Sequence, residues 1–396
     1  MLDAQHTPWR VGPRFAKLPM HQKHNPDHGS SLSPTRRQLL HGIGTLAGGA
    51  ALSTFAGCST SAVPSVNAFS RNGVSAAPGM GAPTLIETNG ITLGVYDQGE
   101  GLPVVFSHGF PEMAYSWRHQ VRAFPAGGYR AIVPDQRGYG LSDRPQGMEN
   151  YTLKHLCDDM AGLLDALQID KAVFCGHDWG GGVVWMMPRF HPDRVAGVIG
   201  VNTPGSHPGH PREALDSPIV RTENYYTNTF QKPGFADARL SANVRKTFEM
   251  MLRRGGFWDA KTFPLRPEDS AERQVDLLRM LEEDNFTGEL LLSEAELAVF
   301  VDTFEATGFT GGLNWYRAAA QAQTDFSAAQ WDIDVPCLYV GAENDVILPP
   351  SSADGMEEYI SDFERYTVAD CGHWTQQEKP DELNRVALSW LDRKIA

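Results

Sequence analysis

Short apolar runs alternate with longer amphipathic stretches along most of the chain, and this alternation indicates the kind of fold. Apolar and polar positions alternate over 84–88 and 91–97 on either side of Asn89-Gly90, which predicts a β-hairpin with a type I′ turn. Leucine and methionine recur at three- and four-residue steps over 151–168, which predicts an amphipathic helix. Segments of strand length, most of them continuous apolar runs, predict further strands at 103–107, 129–134, 172–175, 195–201, 335–340 and 363–368.

The long segment from 205 to 330 lacks such strand-like runs and shows helical periodicity instead. Its helical patterns lie near 218–231, 237–254, 270–282, 293–305 and 313–323. Strands that alternate with helices outside this segment predict βαβ units and a mainly parallel sheet. We therefore predict an α/β fold, in which a mostly parallel sheet flanked by helices carries an inserted all-helical cap.

The domain boundaries follow from these changes in pattern. The sheet domain is predicted to comprise 84–204 and 331–396, with the cap at 205–330 between its two parts. Residues 59–83 are rich in Ser, Ala, Pro and Gly, a composition typical of a linker. Residues 1–58 are interpreted as a leader, whose first 34 residues are polar, rich in His and Pro, and predicted to be disordered.

The second half of the leader has the features of an export signal. Arg36-Arg37 precede a mildly apolar, Gly/Ala-rich run at 43–57, which is too short to cross a bilayer as a helix. Paired arginines before such a run resemble a twin-arginine signal, so we expect export to the periplasm or cell envelope. Phe55-Ala56-Gly57-Cys58 also resembles a lipoprotein cleavage site with Cys58 as the lipidated residue. Alternatively, Arg36-Arg37 is a chance basic pair, or the signal is cleaved without lipidation of Cys58. Translation could also start at Met20 instead of Met1.

Charge and cysteine content narrow the expected partners. The chain has 396 residues and a net charge of −14, and 1–57 contain six Lys/Arg against two Asp/Glu. The rest therefore has 28 Lys/Arg and 46 Asp/Glu, a net charge of −18, which argues against nucleic acid or an anionic membrane as a main partner. A lipid at Cys58 is the expected route to a membrane. The five cysteines lack the spacing of a disulfide framework or a zinc site.

The candidate nucleophile lies in a glycine-rich turn. The strand predicted at 172–175 leads into Gly176-His177-Asp178-Trp179-Gly180-Gly181. This is the outline of a nucleophile elbow, in which small flanking residues leave room for one exposed reactive side chain. A carboxylate there suits displacement at a saturated carbon, because water can cleave the resulting ester at the carbonyl carbon of Asp178. The alternative is a turn in which Asp178 only caps the next helix.

A second loop is predicted to lie beside this turn. His108-Gly109-Phe110-Pro111-Glu112 follows the strand at 103–107, and ligands of parallel sheets bind at the carboxyl ends of strands. The loop can offer a backbone N–H group to a developing oxyanion. Phe110-Pro111 is a candidate cis peptide bond, and a structural role is favoured over a catalytic role for His108.

An acid and a histidine complete a candidate triad. Asp345 comes after the strand predicted at 335–340, and His373 lies in the loop after 363–368. Asp178, Asp345 and His373 therefore have the chain order of α/β-hydrolase triads, each just past a strand. His373 is predicted to take a proton from water, while Asp345 holds its tautomer and stabilises the imidazolium.

Three of these stretches match motifs of one known family. The loop at 108–112 with Tyr115-Ser116-Trp117-Arg118 matches its oxyanion-loop motif, and Gly176-His177-Asp178-Trp179-Gly180-Gly181 matches its elbow. Cys371-Gly372-His373-Trp374-Thr375-Gln376 matches its histidine loop. Residues 84–394 thus resemble the epoxide hydrolase branch of the α/β-hydrolase superfamily.

The resemblance extends to two segments of the cap, 226–234 and 313–317. They are similar to the segments that supply two ring-opening tyrosines in this family, which implies that role for Tyr226 and Tyr316. Tyr225 is the neighbour that competes with Tyr226 for the assignment. Two phenols can hold the epoxide oxygen and supply its proton as a carboxylate attacks a ring carbon.

The resemblance implies an α/β-hydrolase fold and the hydrolysis of a small apolar epoxide to a vicinal diol. A hydroxyalkyl ester would form on Asp178, and water activated by His373 and Asp345 would attack it. The oxyanion would lie against the backbone N–H groups of Phe110 and Trp179. No metal or organic cofactor is expected, and no oligomeric state is predicted.

Dehalogenation and non-catalytic ligand binding are the two functions that compete with epoxide hydrolysis. Haloalkane dehalogenases share the Asp elbow and the covalent ester, and Trp179 fits either enzyme, but they have no need of Tyr226 and Tyr316. Fluoroacetate dehalogenases place arginines just after the nucleophile, where this chain has Trp179 and three glycines. A non-catalytic hydrolase fold that binds or senses a small apolar ligand is the third hypothesis. The complete triad argues against it, since a binding module need not keep one.

Overall fold

Most of the strands form where apolar residues occupy consecutive positions. In the computed structural model, which describes residues 69–207, 218–255, 258–284, 286–321 and 331–396, eight strands make one sheet. They are β1 (Thr84–Thr88), β2 (Ile91–Gln98), β3 (Pro103–Ser107), β4 (Arg130–Pro134), β5 (Ala172–His177), β6 (Val195–Val201), β7 (Cys337–Ala342) and β8 (Phe363–Val368). Every residue of β5 and β7 is buried, as expected of strands covered on both faces.

The strand order across the sheet is β1-β2-β4-β3-β5-β6-β7-β8. Strand β2 is antiparallel to β1 and β4, whereas the pairs from β4-β3 to β7-β8 are parallel. The β1–β2 hairpin turns at Asn89 and Gly90, with φ of 45° and 75°, and a type I′ turn needs positive φ at both positions. The α/β fold with a mostly parallel sheet is therefore confirmed.

Helices fill the connections between the strands. They are α1 (Gln120–Ala126), α2 (Leu153–Ala166), α3 (Trp179–Phe190), α4 (Tyr226–Thr229), α5 (Phe235–Ala242), α6 (Val244–Met251), α7 (Ala271–Gln274), α8 (Leu277–Glu283), α9 (Glu294–Thr307), α10 (Thr310–Gln321), α11 (Thr375–Glu378) and α12 (Pro380–Lys394). Helices α4 to α10 lie between β6 and β7 in the chain, although these two strands are neighbours in the sheet. The cap is thus an insertion. Its predicted start at 205 comes shortly before 208–217, which lie outside the described residues, and its predicted end at 330 also lies outside them.

Three of the five predicted cap helices are shorter or divided in the structure, whereas the patterns at 293–305 and 313–323 correspond to α9 and α10. The pattern at 237–254 is divided between α5 and α6 because the Asn243 side chain accepts a hydrogen bond from the backbone N–H of Lys246, at 3.0 Å, and starts a new helix. The pattern at 270–282 is interrupted at Val275, where φ is 48°. Only the four-residue α4 forms within 218–231. Local side chain to backbone bonds therefore compete with helix continuation.

Residues 69–83, the described part of the predicted linker at 59–83, are partly buried against the rest of the chain, which the linker prediction did not anticipate. Ser70–Arg71 pairs with Val74–Ser75, and Val74 and Met80 are buried. Arg71 donates to the carboxylate of Asp143 at 2.7 Å. A few well-placed apolar and charged residues therefore anchor this stretch, despite its Gly/Ala-rich composition. The predicted leader, export signal and Cys58 lie outside the described residues.

In the part of the chain that the structure describes, no helix has the length and apolar character needed to cross a membrane. Cys157, Cys175, Cys337 and Cys371 are free thiols and all are buried.

A buried ion pair ties the first half of the sheet domain together. Arg137, in the loop after β4, donates to both carboxylate oxygens of Asp159 on α2, at 2.8 and 2.6 Å. The two side chains are 3% and 1% exposed. The backbone carbonyl of Arg137 also accepts a hydrogen bond from the indole of Trp315 in the cap. The pair thus fixes a loop that contacts both domains.

We predict that Asp159→Ala lowers the free energy of unfolding by about 3–5 kcal/mol, because it leaves the Arg137 guanidinium buried without its partner. Asp165→Ala is the control, since the carboxylate that it removes is 68% exposed in its pair with Arg194. That variant is expected to change stability by less than about 1 kcal/mol. Urea unfolding checks both, and equal losses would contradict the distinction.

Candidate active site

The sharp turn between β5 and α3 holds Asp178 in a strained conformation. Its φ of 52° and ψ of −123° are rare for a residue other than glycine. The hydroxyl of Thr203 donates to the Asp178 carbonyl at 2.7 Å, and the backbone N–H of Gly182 donates to the same oxygen at 3.2 Å. The turn thus presents the carboxylate at the carboxyl end of the sheet, as a nucleophile elbow requires.

Glycine is required at three positions around this turn. A Cβ atom on Gly176 would collide with the carbonyl oxygen of Gly180, and one on Gly180 would collide with that of Ser107. A Cβ atom on Gly109 would collide with the Asp178 carboxylate itself. The absence of side chains therefore lets the loop after β3 approach the carboxylate.

That loop donates a hydrogen bond to Asp178. The backbone N–H of Phe110 lies 2.9 Å from Oδ1 of Asp178, and the Phe110-Pro111 bond is cis, as expected. Trp179 is the first residue of α3, and its indole packs edge-on against Tyr316 with ring centroids 4.9 Å apart. His108 is fully buried and accepts a hydrogen bond from the backbone N–H of Gln136, which fits the expected structural role.

The histidine and the second acid lie beside the nucleophile. Nδ1 of His373 is 2.8 Å from Oδ2 of Asp345, and Nε2 of His373 is 3.6 Å from Oδ2 of Asp178. The other oxygen of Asp345 accepts from the backbone N–H groups of Ile347 and Leu348. These contacts bring together the three residues that the sequence predicted as a triad.

The two carboxylates control the charge of the imidazole. Burial disfavours the charged form of His373, but the negative charges of Asp345 and Asp178 outweigh it and raise the pKa of His373 to about 10. The same ion pair, with several hydrogen bonds, overcomes burial and lowers the pKa of Asp345. The two carboxylates therefore favour the imidazolium form of His373 at neutral pH.

Two phenols from the cap face these groups across one cavity. The Tyr226 and Tyr316 rings have centroids 6.0 Å apart and an interplanar angle of 81°. Burial raises the pKa of both phenols well above the ordinary value, and the charge of Asp178 adds to this. Both therefore remain O–H donors at neutral pH. Tyr225 is buried but does not line the cavity.

The cavity wall is mostly apolar. It is lined by Phe110, Asp178, Tyr226, Met251, Trp258, Val275, Leu277, Tyr316, Ile347, His373 and Trp374. Asp178 and His373 are the ionisable groups on this wall besides the two phenols, and no Lys or Arg is among these residues. Such a wall suits an uncharged apolar ligand with one polar atom. In the described ranges, no three His, Cys, Asp or Glu side chains are placed to hold a metal ion.

Several supporting residues were missed in the sequence. The Asn202 side chain donates to Oδ2 of Asp345 at 2.8 Å. His177 approaches the Glu112 carboxylate at 2.8 Å through Nδ1, and Nε2 donates to the His373 carbonyl at 2.7 Å. The place of His177 directly before the nucleophile was the signal that sequence reasoning could have used. The sequence contains no comparable signal for Asn202, since its role depends on its packing against a distant loop.

Comparison with known proteins agrees with this geometry. A family model for the alpha/beta hydrolase fold matches residues 103–380. Epoxide hydrolase A of Mycobacterium tuberculosis (strain ATCC 25618 / H37Rv) is 41% identical over 331 residues, which cover 79% of this chain and 98% of that protein. The chain belongs to the epoxide hydrolase branch of the α/β-hydrolase superfamily.

Other members of the epoxide hydrolase branch match over the same part of the chain. Bifunctional epoxide hydrolase 2 of Rattus norvegicus is 37% identical over 311 residues, and the match covers 77% of this chain but 54% of that protein. The crystal structure of Epoxide Hydrolase A from Mycobacterium thermoresistibile has a TM-score of 0.64 and 33% identity, and covers 78% of this chain and 98% of that one. The fold expected from the resemblance is confirmed.

We predict that Asp345→Asn lowers the pKa of His373 from about 10, because it removes the carboxylate whose charge favours the imidazolium more strongly. An NMR titration of the His373 ring protons, assigned with His373→Gln, measures it. Asp354→Asn changes a carboxylate that is 66% exposed beside Arg365 and should leave this pKa unchanged. An unaltered titration in Asp345→Asn would contradict the account.

The pKa shift also fixes the sign of a stability effect. The folded pKa of His373 is raised above the unfolded value of about 6.5, so its contribution to stability is fully present below that pH. The contribution is lost as the pH rises through about 10.

Proposed function

We propose that this protein hydrolyses apolar epoxides to vicinal diols through a covalent ester on Asp178. The observation that carries the proposal is the common cavity, which Asp178 and His373 line together with the phenols Tyr226 and Tyr316. Nucleophile, base and proton donors for both halves of the reaction are then within reach of one bound molecule.

In the first half, the carboxylate opens the ring. Oδ1 of Asp178 is held by the N–H group of Phe110, which leaves Oδ2 to attack a ring carbon. As the C–O bond of the epoxide breaks, its oxygen gains negative charge and takes a proton from Tyr226 or Tyr316. Two neutral phenols suit this step, since they bind the developing charge more strongly than the uncharged epoxide.

In the second half, water cleaves the ester. Esterification removes the negative charge of Asp178, so the pKa of His373 falls and its proton can return to the phenolate. Neutral His373 then takes a proton from water, and the hydroxide adds to the carbonyl carbon of Asp178. The oxyanion forms on Oδ1 beside the N–H group of Phe110, with that of Trp179 as the second proposed donor. Collapse expels the diol oxygen, which takes the proton of the new carboxylic acid, so the carboxylate and the imidazolium are restored and protons balance over the cycle.

Haloalkane dehalogenation uses the same nucleophile but is not favoured. A halide leaves without a proton, so that reaction does not require the two phenols that line this cavity. The apolar wall without Lys or Arg also argues against a carboxylate-bearing substrate such as fluoroacetate.

We predict that His373→Gln accumulates the ester, because glutamine cannot accept the proton from water. Incubation with styrene oxide should then raise the intact protein mass by that of one substrate, located to Asp178 by peptide mapping. The Asp178→Ala/His373→Gln double variant is the control and should gain no mass. An adduct of equal yield on that variant would contradict the assignment of the nucleophile.

We also predict that Tyr226→Phe and Tyr316→Phe each slow diol formation from styrene oxide by roughly 10²-fold, the effect typical of losing one donor to a developing oxyanion. Tyr225→Phe is the comparison variant and should lose less activity than Tyr226→Phe, because Tyr225 hydrogen-bonds to Tyr226 but lies outside the cavity wall. Product analysis with 1-chlorohexane should show no chloride. A larger loss in Tyr225→Phe than in Tyr226→Phe, or rapid chloride release, would oppose this account.

We further propose that residues 33–58 direct export through the twin-arginine pathway, with lipid attachment at Cys58. The support is Arg36-Arg37 ahead of the apolar run at 43–57. In a bacterium with this pathway, the full chain should reach the cell envelope, and the double variant Arg36→Lys/Arg37→Lys should remain in the cytoplasm. Cys58→Ala should be exported but lose membrane association. Unchanged fractionation of the arginine variant would contradict the export signal.

A further inference from the structure

A tryptophan of the cap covers one face of the proposed base. The rings of Trp258 and His373 are stacked, with centroids 5.3 Å apart and an interplanar angle of 13°. Both residues are buried, at 5% and 4% exposure. Trp258 follows the short cap strand Arg253–Arg254, whereas His373 follows β8, so the contact joins the two domains.

The charged groups around His373 approach it from other directions. Asp345 lies at Nδ1 and Asp178 at Nε2, both at the edge of the ring. The ring of His177 lies 5.0 Å away at an angle of 56°, and His177 is itself paired with Glu112. The phenols Tyr226 and Tyr316 lie across the cavity, and Trp374 packs edge-on against His373 at 4.8 Å. The stacked face of the imidazole is thus occupied by an indole.

We infer that Trp258 stabilises the imidazolium that forms as His373 takes a proton from water, and thereby accelerates hydrolysis of the Asp178 ester. The inference rests on the proposed function and assigns Trp258 as a positioning residue for its second half. The face of an indole carries partial negative charge and attracts a cation within about 6 Å of its centroid, most strongly where water is excluded. A neutral imidazole gains less from this contact than an imidazolium.

The contact affects the rate of ester hydrolysis because the charge on His373 appears only during that step. In the ester, Asp178 is neutral and His373 must be unprotonated to act as a base. Positive charge appears on His373 only as the proton leaves water, so an interaction with that charge lowers the barrier of the hydrolysis step. The cap would then serve both halves of the reaction, with Tyr226 and Tyr316 in alkylation and Trp258 in hydrolysis.

The experiment separates the two half-reactions in Trp258→Leu and Trp258→Phe. Rapid mixing of full-length protein with excess styrene oxide, followed by quench and intact-mass analysis, gives the rates of ester formation and ester loss. We expect Trp258→Leu to slow ester loss by about tenfold and to change ester formation by less than about threefold. Trp258→Phe keeps an aromatic face and should retain most of the hydrolysis rate.

The pH dependence provides a readout that a purely structural role would not change. Ester loss should increase with pH as His373 becomes neutral. Removing the indole face destabilises the imidazolium and lowers the pKa of His373 in the ester, so the rise should occur at lower pH in Trp258→Leu. Leu277→Ala is the control for a loosened cavity, since Leu277 lines the same wall, and it should leave the position of the rise unchanged.

The outcomes distinguish a failure of the proposed function from a failure of the inference about Trp258. If the wild-type protein forms no ester, the proposed function itself fails. If the wild-type protein forms the ester but Trp258→Leu slows both half-reactions equally, or leaves ester loss and its pH profile unchanged, the inference about Trp258 is wrong. Equal slowing of ester loss in Trp258→Phe and Trp258→Leu would also overturn it, because the aromatic face would then have no role.

Discussion

The position of one partly buried carboxylate sets the requirements for the rest of the site. Asp178 adopts a positive φ at the end of β5, and this conformation persists because Thr203 and Gly182 bind its carbonyl. Glycines at 109, 176 and 180 clear the space that the turn and the neighbouring loop need. A backbone held in this way fixes one carboxylate oxygen against the N–H group of Phe110 and leaves the other beside His373.

Burial then determines how charge is distributed in the site. Low polarity around the cavity keeps the phenols of Tyr226 and Tyr316 protonated, whereas two adjacent carboxylates keep His373 protonated despite burial. In the proposed mechanism, alkylation of Asp178 removes one of those negative charges and lowers the pKa of His373, which favours its action as a base. The sheet domain supplies the carboxylates and the histidine, and the cap supplies the phenols and an aromatic cover.

Much of this arrangement could be predicted from the sequence, because the predicted strands end shortly before Asp178, Asp345 and His373. Parallel strands bring such ends to one edge of the sheet. Contacts between distant segments could not be predicted in this way: Asn202 supports the triad from the end of β6, and Trp258 stacks on His373 from the cap. The division of the cap helices at Asn243 was missed since one side chain to backbone bond outweighs helical periodicity.

The most direct measurement is a single turnover in water labelled with heavy oxygen, with protein in excess over styrene oxide. The account predicts that the label enters the Asp178 carboxyl group first, because water attacks that carbonyl carbon and the diol leaves with an oxygen that was originally part of Asp178. Mass analysis of the peptide that contains Asp178 and of the diol gives the distribution. Label in the diol after one turnover, with none in the protein, would contradict the covalent mechanism.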